Sequence, residues 1–149
     1  MSIMIDKKDE MILSELKKDA RQTTKAIANT THIPRVTVHD RIQKMIQNGI
    51  IKAFHVSIDY KKIGFPTEVF IFISFNTNPE VSQRQLAKQI ASLPGVHDVH
   101  IISGEYDLLL KVRGKSLEDI GGLVVDKLRQ LKGVGKTLTF ACFETIKED

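Results

Sequence analysis

The chain has 149 residues, of which 42% are hydrophobic and 27% charged, which suits one domain or two small ones with packed cores. Its net charge of +4 permits a polyanionic partner without requiring one. A single cysteine excludes an intrachain disulfide, and no apolar run approaches the ~20 residues of a membrane span. The N-terminus lacks the basic-then-apolar pattern of a secretory signal, so we expect a cytoplasmic protein without a membrane partner.

The chain begins with two predicted helices. Asp6 followed by Asp9 is typical of a helix N-cap and its capping-box partner. Apolar residues then recur at spacings near 3.6, which places them on one face of the first helix. The residues of this face are Ile5, Ile12, Leu13 and Leu16. Thr23 is the predicted cap of a second, shorter helix that turns Ile27 toward the core.

A third helix is predicted between Pro34 and Asn48-Gly49. Proline is tolerated at the first helical position because its missing N–H would have no intrahelical partner there, and Asn-Gly is a common helix end. The residues predicted to face the core are Val38, Ile42, Met45 and Ile46. The tight link before this helix matches a helix-turn-helix, whose second helix enters the major groove of DNA.

The exposed face of the third helix carries side chains that suit DNA. Arg can read guanine edges, Thr and Val can touch thymine methyl groups, and Lys can pair with phosphate. Many solvated amphipathic helices carry the same residue types, and Asp40 would either accept from a cytosine amino group or pair with Lys44. The candidate DNA-contacting residues are Thr23, Arg35, Val36, Thr37, His39, Asp40, Arg41 and Lys44.

Charge is distributed unevenly along the chain. Residues 1–60 carry 10 Lys and Arg against 7 Asp and Glu, and the remainder carries 12 against 11. Most of the basic excess therefore lies in the N-terminal third, which is where phosphate contacts are expected.

From residue 51 the sequence pattern becomes that of strands. Residues 51–60 are β-branched and aromatic and are predicted to be extended, and residues 60–66 form an irregular connection. The elements predicted after it are a strand at 69–75, a helix at 79–93, strands at 96–103 and 106–112, a helix at 117–131 and a strand at 137–146. This βαββαβ order describes a ferredoxin-like fold, in which both helices cover one face of an antiparallel sheet. The predicted fold class is therefore α+β.

Smaller signals support these elements. Ser116 with Asp119 is a capping-box pattern, and LPGV and LKGV each close a helix and open a strand. Cys142 lies in an apolar run, which favours a small buried hydrophobe over a reactive thiol. Gly121-Gly122 falls inside a helix, where close packing within the chain or across an oligomer contact is the better explanation.

The first strand of the sheet is apolar on both sides. Its apolar residues are Phe70, Ile71, Phe72, Ile73 and Phe75. A sheet that is apolar on both faces has to be covered on both, and the chain has no further helix for the second face. The sequence therefore predicts a homodimer that forms through the sheet.

Several segments together resemble the Lrp/AsnC family of transcription regulators. They are I-D-x-x-D-x-x-I-L-x-x-L in the first helix, V-x-x-R-I followed by G-I-I around the third, and G-x-Y-D between two strands. The similarity runs over nearly the whole chain in the same order. Two caps depart from the pattern: Ala26 stands where relatives usually have an acidic residue, and Pro34 where they have a capping Ser.

The resemblance implies a winged-helix-like helix-turn-helix domain at residues 1–50, a hinge strand and linker at 51–66, and a ferredoxin-like domain at 67–149. In the family the last of these dimerises, often assembles to octamers, and commonly binds a small molecule, typically an amino acid, between dimers. The implied function is a sequence-specific transcription regulator of double-stranded DNA. Because a dimer presents two recognition helices, its operator is expected to be pseudo-palindromic.

The turn at residues 103–107 and the last strand hold the candidate effector contacts, and the resemblance implies the same positions. Gly104 lets the backbone turn sharply and leaves N–H groups exposed, and Asp107 suits an α-ammonium group. The same turn would also serve as a plain hairpin without a ligand. The candidate residues are Ser103, Gly104, Glu105, Tyr106, Asp107, Thr137 and Thr139.

Two other functions are considered. Decarboxylases of the haem-precursor pathway resemble the same family, and His97 or His100 would then supply acid chemistry. These two histidines are three residues apart on a strand and are predicted to point to opposite faces. An architectural DNA binder would be expected to carry a higher net charge. We predict no enzyme activity, no metal site and no cofactor.

Overall fold

The computed structural model describes residues 5–77 and 80–148, and the chain divides into two compact units between Ser57 and Ile58. The N-terminal unit contains helices α1 (Lys7–Lys18), α2 (Thr24–Thr31) and α3 (Arg35–Gln47). The C-terminal unit contains β1 (Thr67–Phe75), α4 (Gln83–Ala91), β2 (Val96–Ile101), β3 (Leu108–Gly114), α5 (Leu117–Gly122) and β4 (Val134–Cys142). Pro79, where the sequence predicted the start of α4, lies outside the described residues.

The predicted caps of α1 and α2 are confirmed. Asp6 accepts from the Asp9 N–H at 3.0 Å while Asp9 accepts from the Asp6 N–H at 3.1 Å, a complete capping box. Thr23 accepts from the Ala26 N–H at 3.1 Å. The three helices then bury one apolar cluster made of Ile12, Leu16, Ile27, Ile33, Val38, Ile42 and Met45.

Three details of this unit differ from the prediction. Pro34 is the residue before α3 rather than its first helical residue, and it provides no side-chain cap. Ile46 is 39% exposed instead of buried, because it lies at the edge of the α3 face that α1 and α2 cover. Ile5 is likewise exposed, since it precedes the first turn of α1.

The extended strand predicted at residues 51–60 is absent. Residues 52–59 are exposed and belong to no strand, because within the described chain no other strand pairs with them. The irregular connection after them is present as a turn in which the Phe65 N–H donates to the Tyr60 carbonyl at 2.9 Å.

The C-terminal unit is the predicted ferredoxin-like α+β fold. Its sheet has the order β2-β3-β1-β4, and every pair of neighbouring strands is antiparallel. Alternate residues of β1 and β3 point into one apolar cluster together with both helices, which places the helices on the same face. That cluster consists of Val69, Ile71, Ile73, Leu86, Ile90, Leu108, Leu110, Val112, Ile120, Val124 and Leu128.

The helix predicted at 117–131 is not uniform. Ser116 accepts from the Asp119 N–H as predicted, but the Asp119 carboxylate accepts from the Lys115 N–H, so the capping box is only half formed. After the α-helical turns of α5 the chain makes a π-helical turn at Leu123–Lys127 and a 3-10 turn at Leu128–Gln130. The two glycines 121 and 122 precede the change, which fits their low helix propensity.

The two halves of the unit share one turn, as the sequence echo predicted. The Val96 N–H donates to the Leu93 carbonyl and the Val134 N–H donates to the Leu131 carbonyl, both at 3.2 Å. Gly95 in the first turn has φ +85° and the corresponding glycine 133 has φ +90°, a conformation that favours glycine over any L-residue.

The sheet face that carries no helix is largely apolar, and we call it the open face. Its apolar side chains are Phe70, Phe72, Leu109, Leu138 and Phe140, which follow from strand alternation and register. Phe72 and Phe140 pack edge to face with ring centroids 5.6 Å apart. Cys142 also lies on this face and is half-buried instead of buried, because β4 is an edge strand.

Candidate nucleic-acid interface and effector site

The outward side of α3 presents a mixed polar and apolar surface. Val36 is 72% exposed, and Asp40 and Lys44 are exposed on the same side, whereas Thr37 is half-buried. This side chain mixture can touch base methyl groups and phosphates together. His39 is also exposed, on the flank of the helix.

The start of α2 joins this surface. Arg35, the first residue of α3, donates from Nε to the Thr24 hydroxyl at 3.3 Å. Thr23 is exposed at the cap of α2, although its hydroxyl is engaged by the Ala26 N–H. The structure therefore brings the cap of α2 close to the tip of α3.

Arg41 has contacts that the sequence pattern did not predict. Its Nη1 donates to both carboxylate oxygens of Asp6 at 2.8 Å and to Asp9 at 2.9 Å. The Arg41 side chain is 26% exposed and that of Asp9 is 16% exposed. The hydrogen bonds to Asp9 and then Asp6 raise the pKa of Arg41 above its ordinary value, so the guanidinium stays charged in this position.

A groove of about 350 Å³ lies beside this ion pair, between α3 and the start of α1. Thr37, Asp40 and Lys44 line it from α3, and Ile5 and Asp9 line it from the opposite side. With Arg41, which also lines it, four of the candidate DNA-contacting residues therefore share one depression in the surface.

In the candidate effector turn, Asp107 is engaged with the main chain. Its Oδ2 accepts from the Phe75 N–H at 2.6 Å, where the register of β1 against β4 shifts, and its own N–H donates to the Ile73 carbonyl at 3.0 Å. The turn itself matches the prediction, since Gly104 has φ +142° and is exposed. Ser103 and Glu105 beside it are exposed as well. One carboxylate oxygen of Asp107 is thus committed to holding the strand ends together.

Within a single chain, the predicted effector residues do not lie on the same face of the sheet. Tyr106 packs against the Phe72 ring at 5.6 Å, on the open face. Thr137 and Thr139 pair with residues of β1 that point to the helix-covered face, and the Thr137 hydroxyl accepts from Arg129 at 3.2 Å. The turn and the last strand therefore offer contacts on opposite faces.

The prediction that His97 and His100 point to opposite faces is wrong. The register of β2 against β3 shifts at His97, and such a bulge turns the extra residue away from strict alternation. The centroids of the His97 and Tyr60 rings are 4.7 Å apart, and the Arg113 guanidinium lies over the Tyr60 ring at 4.0 Å, on the open face. His100 pairs with Leu109, which places it on the same face. Burial and the nearby Arg113 charge lower the pKa of His97.

A charged cluster at one end of the open face was missed by the sequence reasoning. Arg113 donates to Glu68 at 2.8 Å and to Glu148 at 2.9 Å, and Lys111 pairs with both carboxylates. Hydrogen bonds from Lys111 and then Arg113 lower the pKa of Glu148. The available signal was the alternation of Lys111 and Arg113 on β3, which marks a common face.

Among residues 5–77 and 80–148, no group of three or more His, Cys, Asp or Glu side chains is arranged to hold a metal ion. Within the same residues, no helix combines the length and apolar character needed to cross a membrane.

Comparison with protein families decides what these two units are. Residues 5–52 match the winged helix-turn-helix DNA-binding family, and residues 68–149 match the Lrp/AsnC ligand-binding domain. The chain belongs to the Lrp/AsnC family. This regulator therefore combines a helix-turn-helix DNA-binding domain with a ligand-binding domain, which confirms the fold and the function expected from the sequence.

Relatives of this Lrp/AsnC regulator carry matching names. It is 44% identical over 149 residues to an uncharacterized HTH-type transcriptional regulator of Pyrococcus furiosus, covering 100% of this chain and 99% of the relative. It is 34% identical over 130 residues to the HTH-type transcriptional regulator LysM of Saccharolobus solfataricus, covering 87% of each. Both relatives are named as transcriptional regulators, and neither is named as an enzyme.

Solved structures share the fold of this regulator at low identity. Escherichia coli AsnC matches with a TM-score of 0.86 and 23% identity over 98% of this chain and 97% of the other. A Neisseria meningitidis transcriptional regulator, solved as a complex with L-methionine, matches with a TM-score of 0.90 and 20% identity over 97% and 94%. At these identities the likeness establishes the fold alone.

Proposed function

We propose that this protein is a sequence-specific transcription regulator that binds a pseudo-palindromic double-stranded DNA operator as a homo-oligomer. An amino acid or related small molecule, bound at the C-terminal unit, modulates it. The observation that carries the proposal is the exposed, mixed face of α3 in a helix-turn-helix unit that is joined to an Lrp/AsnC ligand-binding domain. The names of its relatives support a regulatory role over an enzymatic one.

The proposed division of labour has three parts. Residues 1–50 bind DNA, residues 51–66 link the units, and residues 67–149 bind the effector and assemble. A regulator of this kind works where the DNA is, so we place it in the cytoplasm, in keeping with its similarity to archaeal and bacterial regulators.

The proposed DNA contacts come from the surface formed by α3 and the cap of α2. Val36 is suited to thymine methyl groups, Arg35 to a base edge or phosphate at the helix tip, and Lys44 to phosphate. The remaining proposed contacts are Thr23, Thr37, His39 and Asp40. Arg41 is left out of this set because its guanidinium is already bound by two carboxylates.

The proposed dimer forms through the open face. Phe70, Phe72 and Phe140 place large aromatic surface there, and an apolar sheet face of this kind is normally covered. A second copy of the chain supplies a complementary apolar face, and it also supplies the second recognition helix that a pseudo-palindromic operator needs.

The proposed effector site uses the turn at residues 103–107 and the threonines of β4. Because Tyr106 and Thr137 lie on opposite faces of one sheet, a site that combines them takes the turn from one copy and β4 from another. The complex of the Neisseria meningitidis relative with L-methionine supports an amino acid as the ligand class. Gly104 and Thr139 are both exposed, and a main-chain N–H of the turn together with the Thr139 hydroxyl would suit an α-carboxylate.

Selection of bound sequences from random double-stranded DNA, with and without amino acids, tests the proposal. We expect a two-fold symmetric consensus, and affinity that falls steeply with salt because phosphate contacts release counterions. An amino acid that acts as effector should change the affinity for this consensus. Selection that returns no consensus would argue for nonspecific binding and against the proposal.

A further inference from the structure

We propose that Arg41 is a positioning residue, which fixes the recognition helix α3 against the N-terminus of α1 and does not read a base. The proposal rests on the DNA-binding function given above. It assigns a role to a side chain whose place on the edge of the exposed α3 face had suggested base contact.

The contacts of Arg41 carry the assignment. A single terminal nitrogen, Nη1, donates to Asp6 Oδ1 and Oδ2 at 2.8 Å each and to Asp9 Oδ1 at 2.9 Å. Bidentate reading of a guanine edge needs two N–H groups of one guanidinium presented together. The pair of Nη1 and Nη2 cannot read a base in this way while Nη1 binds the carboxylates, and releasing Nη1 would leave two negative charges beside the DNA without their partner.

The two acceptors are themselves fixed. Asp6 and Asp9 hold each other through the capping box at the start of α1, with N–O distances of 3.0 and 3.1 Å. The same two carboxylates therefore cap α1 and grip α3. Both acceptors are held in place by main-chain N–H groups of α1. Arg41 therefore fixes the position of α3 relative to the N-terminal end of α1.

Arg41 is placed to orient the DNA-facing residues. Thr37 lies four residues before it and Lys44 three residues after it, so both stand on the same side of α3. Both also line the groove at the start of α1 together with Asp9. A rotation of α3 away from α1 would move these side chains with respect to the groove of the DNA.

Three variants and a control separate positioning from reading. The variants are Arg41→Gln, the double substitution Asp6→Asn with Asp9→Asn, and the combination of all three. Asn keeps a capping oxygen but removes the charge that Arg41 binds. Lys44→Gln is the control, because the loss of one phosphate contact should reduce the salt slope by about one. Operator affinity, salt slope and base preferences are measured at neutral pH, at a temperature where circular dichroism shows every variant folded.

We expect Arg41→Gln and the double Asn variant each to lower operator affinity by about tenfold, with the combination no worse than either alone. The preferred bases and the salt slope should stay those of the wild type. Relaxed preference at one base pair in Arg41→Gln would overturn the assignment, because it is the signature of base reading. A double Asn variant that binds as tightly as the wild type, or tighter, would overturn it as well.

The outcomes also separate this assignment from the function on which it rests. If the wild type selects no consensus sequence, both the sequence-specific function and the positioning role of Arg41 are excluded. A wild type that selects a consensus, with folded variants that bind it unchanged, removes only the positioning role and leaves the ion pair as a matter of stability.

Discussion

Asp6 serves two helices with one carboxylate, since it accepts the Asp9 N–H that caps α1 and the guanidinium of α3. The hydrogen bond from the Asp9 N–H, together with Arg41, holds the pKa of Asp6 below its ordinary value of 3.8. A carboxyl group whose pKa is lowered by folding stabilises the folded state at pH values above its ordinary pKa. The contribution is lost as the pH falls through the lowered pKa.

We therefore expect Asp6→Asn to make the N-terminal unit less sensitive to acid. The wild type should lose stability as the pH falls below about 4, whereas Asn still caps α1 but does not titrate. Urea unfolding at a series of pH values, followed by the NMR signals of the buried Ile12 methyl groups, measures this. Parallel pH dependence in the two proteins would contradict the expectation.

A second residue whose role can be tested is Asp107. Replacing it by Ala leaves the Phe75 N–H without its acceptor in a partly buried place, which should cost about 1–3 kcal/mol of the free energy of unfolding. Asp107→Asn keeps an acceptor oxygen and should cost less. The chain has no Trp and both Tyr residues lie in the C-terminal unit, so tyrosine fluorescence in urea reports on this unit. Equal losses in the two variants would show that the acceptor is not the important group.

Side-chain roles were harder to predict than side-chain positions. The sequence placed Arg41 and Asp107 correctly on the third helix and at the hairpin turn, from helical and strand periodicity. It did not predict their partners, because Arg41 meets Asp6 across 35 positions and Asp107 meets Phe75 across 32. Contacts that distant depend on the packing of whole elements, which no local pattern encodes.

At the scale of elements, Gly121 in α5 and Gly114 at the end of β3 offer a matched comparison. A Cβ added at Gly121 meets no atom within 4 Å, so Gly121→Ala should stabilise the helix by about 0.5–1 kcal/mol. A Cβ at Gly114 would stand 2.7 Å from the buried Ile120 side chain, so Gly114→Ala should destabilise the unit by about 1–3 kcal/mol. Urea unfolding followed by tyrosine fluorescence compares them.

The same pair tests why the glycines are there. Close packing within the chain does not explain Gly121, since the space beside it is open. If Gly121→Ala instead weakens self-association in sedimentation, the glycine serves an oligomer contact. A destabilised Gly121→Ala variant would contradict the expected gain in helix stability.

Elements were predictable where local chemistry decides them. The caps at Asp6, Thr23 and Ser116 follow from side chains that accept main-chain N–H groups, and the strands of the sheet follow from alternation. The prediction of a strand at residues 51–60 was wrong because a strand needs a neighbouring strand to pair with, and a local sequence pattern does not show whether one is present. The π-helical turn at Leu123–Lys127 was not predicted, because its sequence pattern is still helical and only its hydrogen-bond spacing differs.

At the scale of the whole molecule, the open face predicts self-association. Phe140→Glu places a charge in the aromatic centre of this face and should shift a dimer to monomer in sedimentation velocity. Val125→Glu is a matched control on the helical layer, since Phe140 and Val125 are both 51% exposed. A Phe140→Glu protein that remains a dimer, or a wild type that is monomeric at micromolar concentration, would contradict the proposed interface.

The order of helices and strands could be predicted within each of the two units, whereas the arrangement of the candidate effector residues could not. The βαββαβ order leads to the sheet β2-β3-β1-β4, because the predicted split halves have few ways to pair. The effector residues, however, lie on opposite faces of that sheet at Tyr106 and Thr137. The proposed effector site takes its residues from more than one copy of the chain, and the pattern of one sequence does not show how copies pair.

The charged cluster of Glu68, Lys111 and Arg113 bears on errors of assembly. An apolar surface attracts any other apolar surface with little regard for orientation, whereas nearly buried charges must keep opposite charges beside them. A second sheet that slid by one strand, or met this one the wrong way round, would lay apolar side chains over Lys111 and Arg113. In the proposed dimer, the cluster would therefore favour pairings of two sheets that leave Lys111 and Arg113 beside their carboxylate partners over pairings that cover them with apolar side chains.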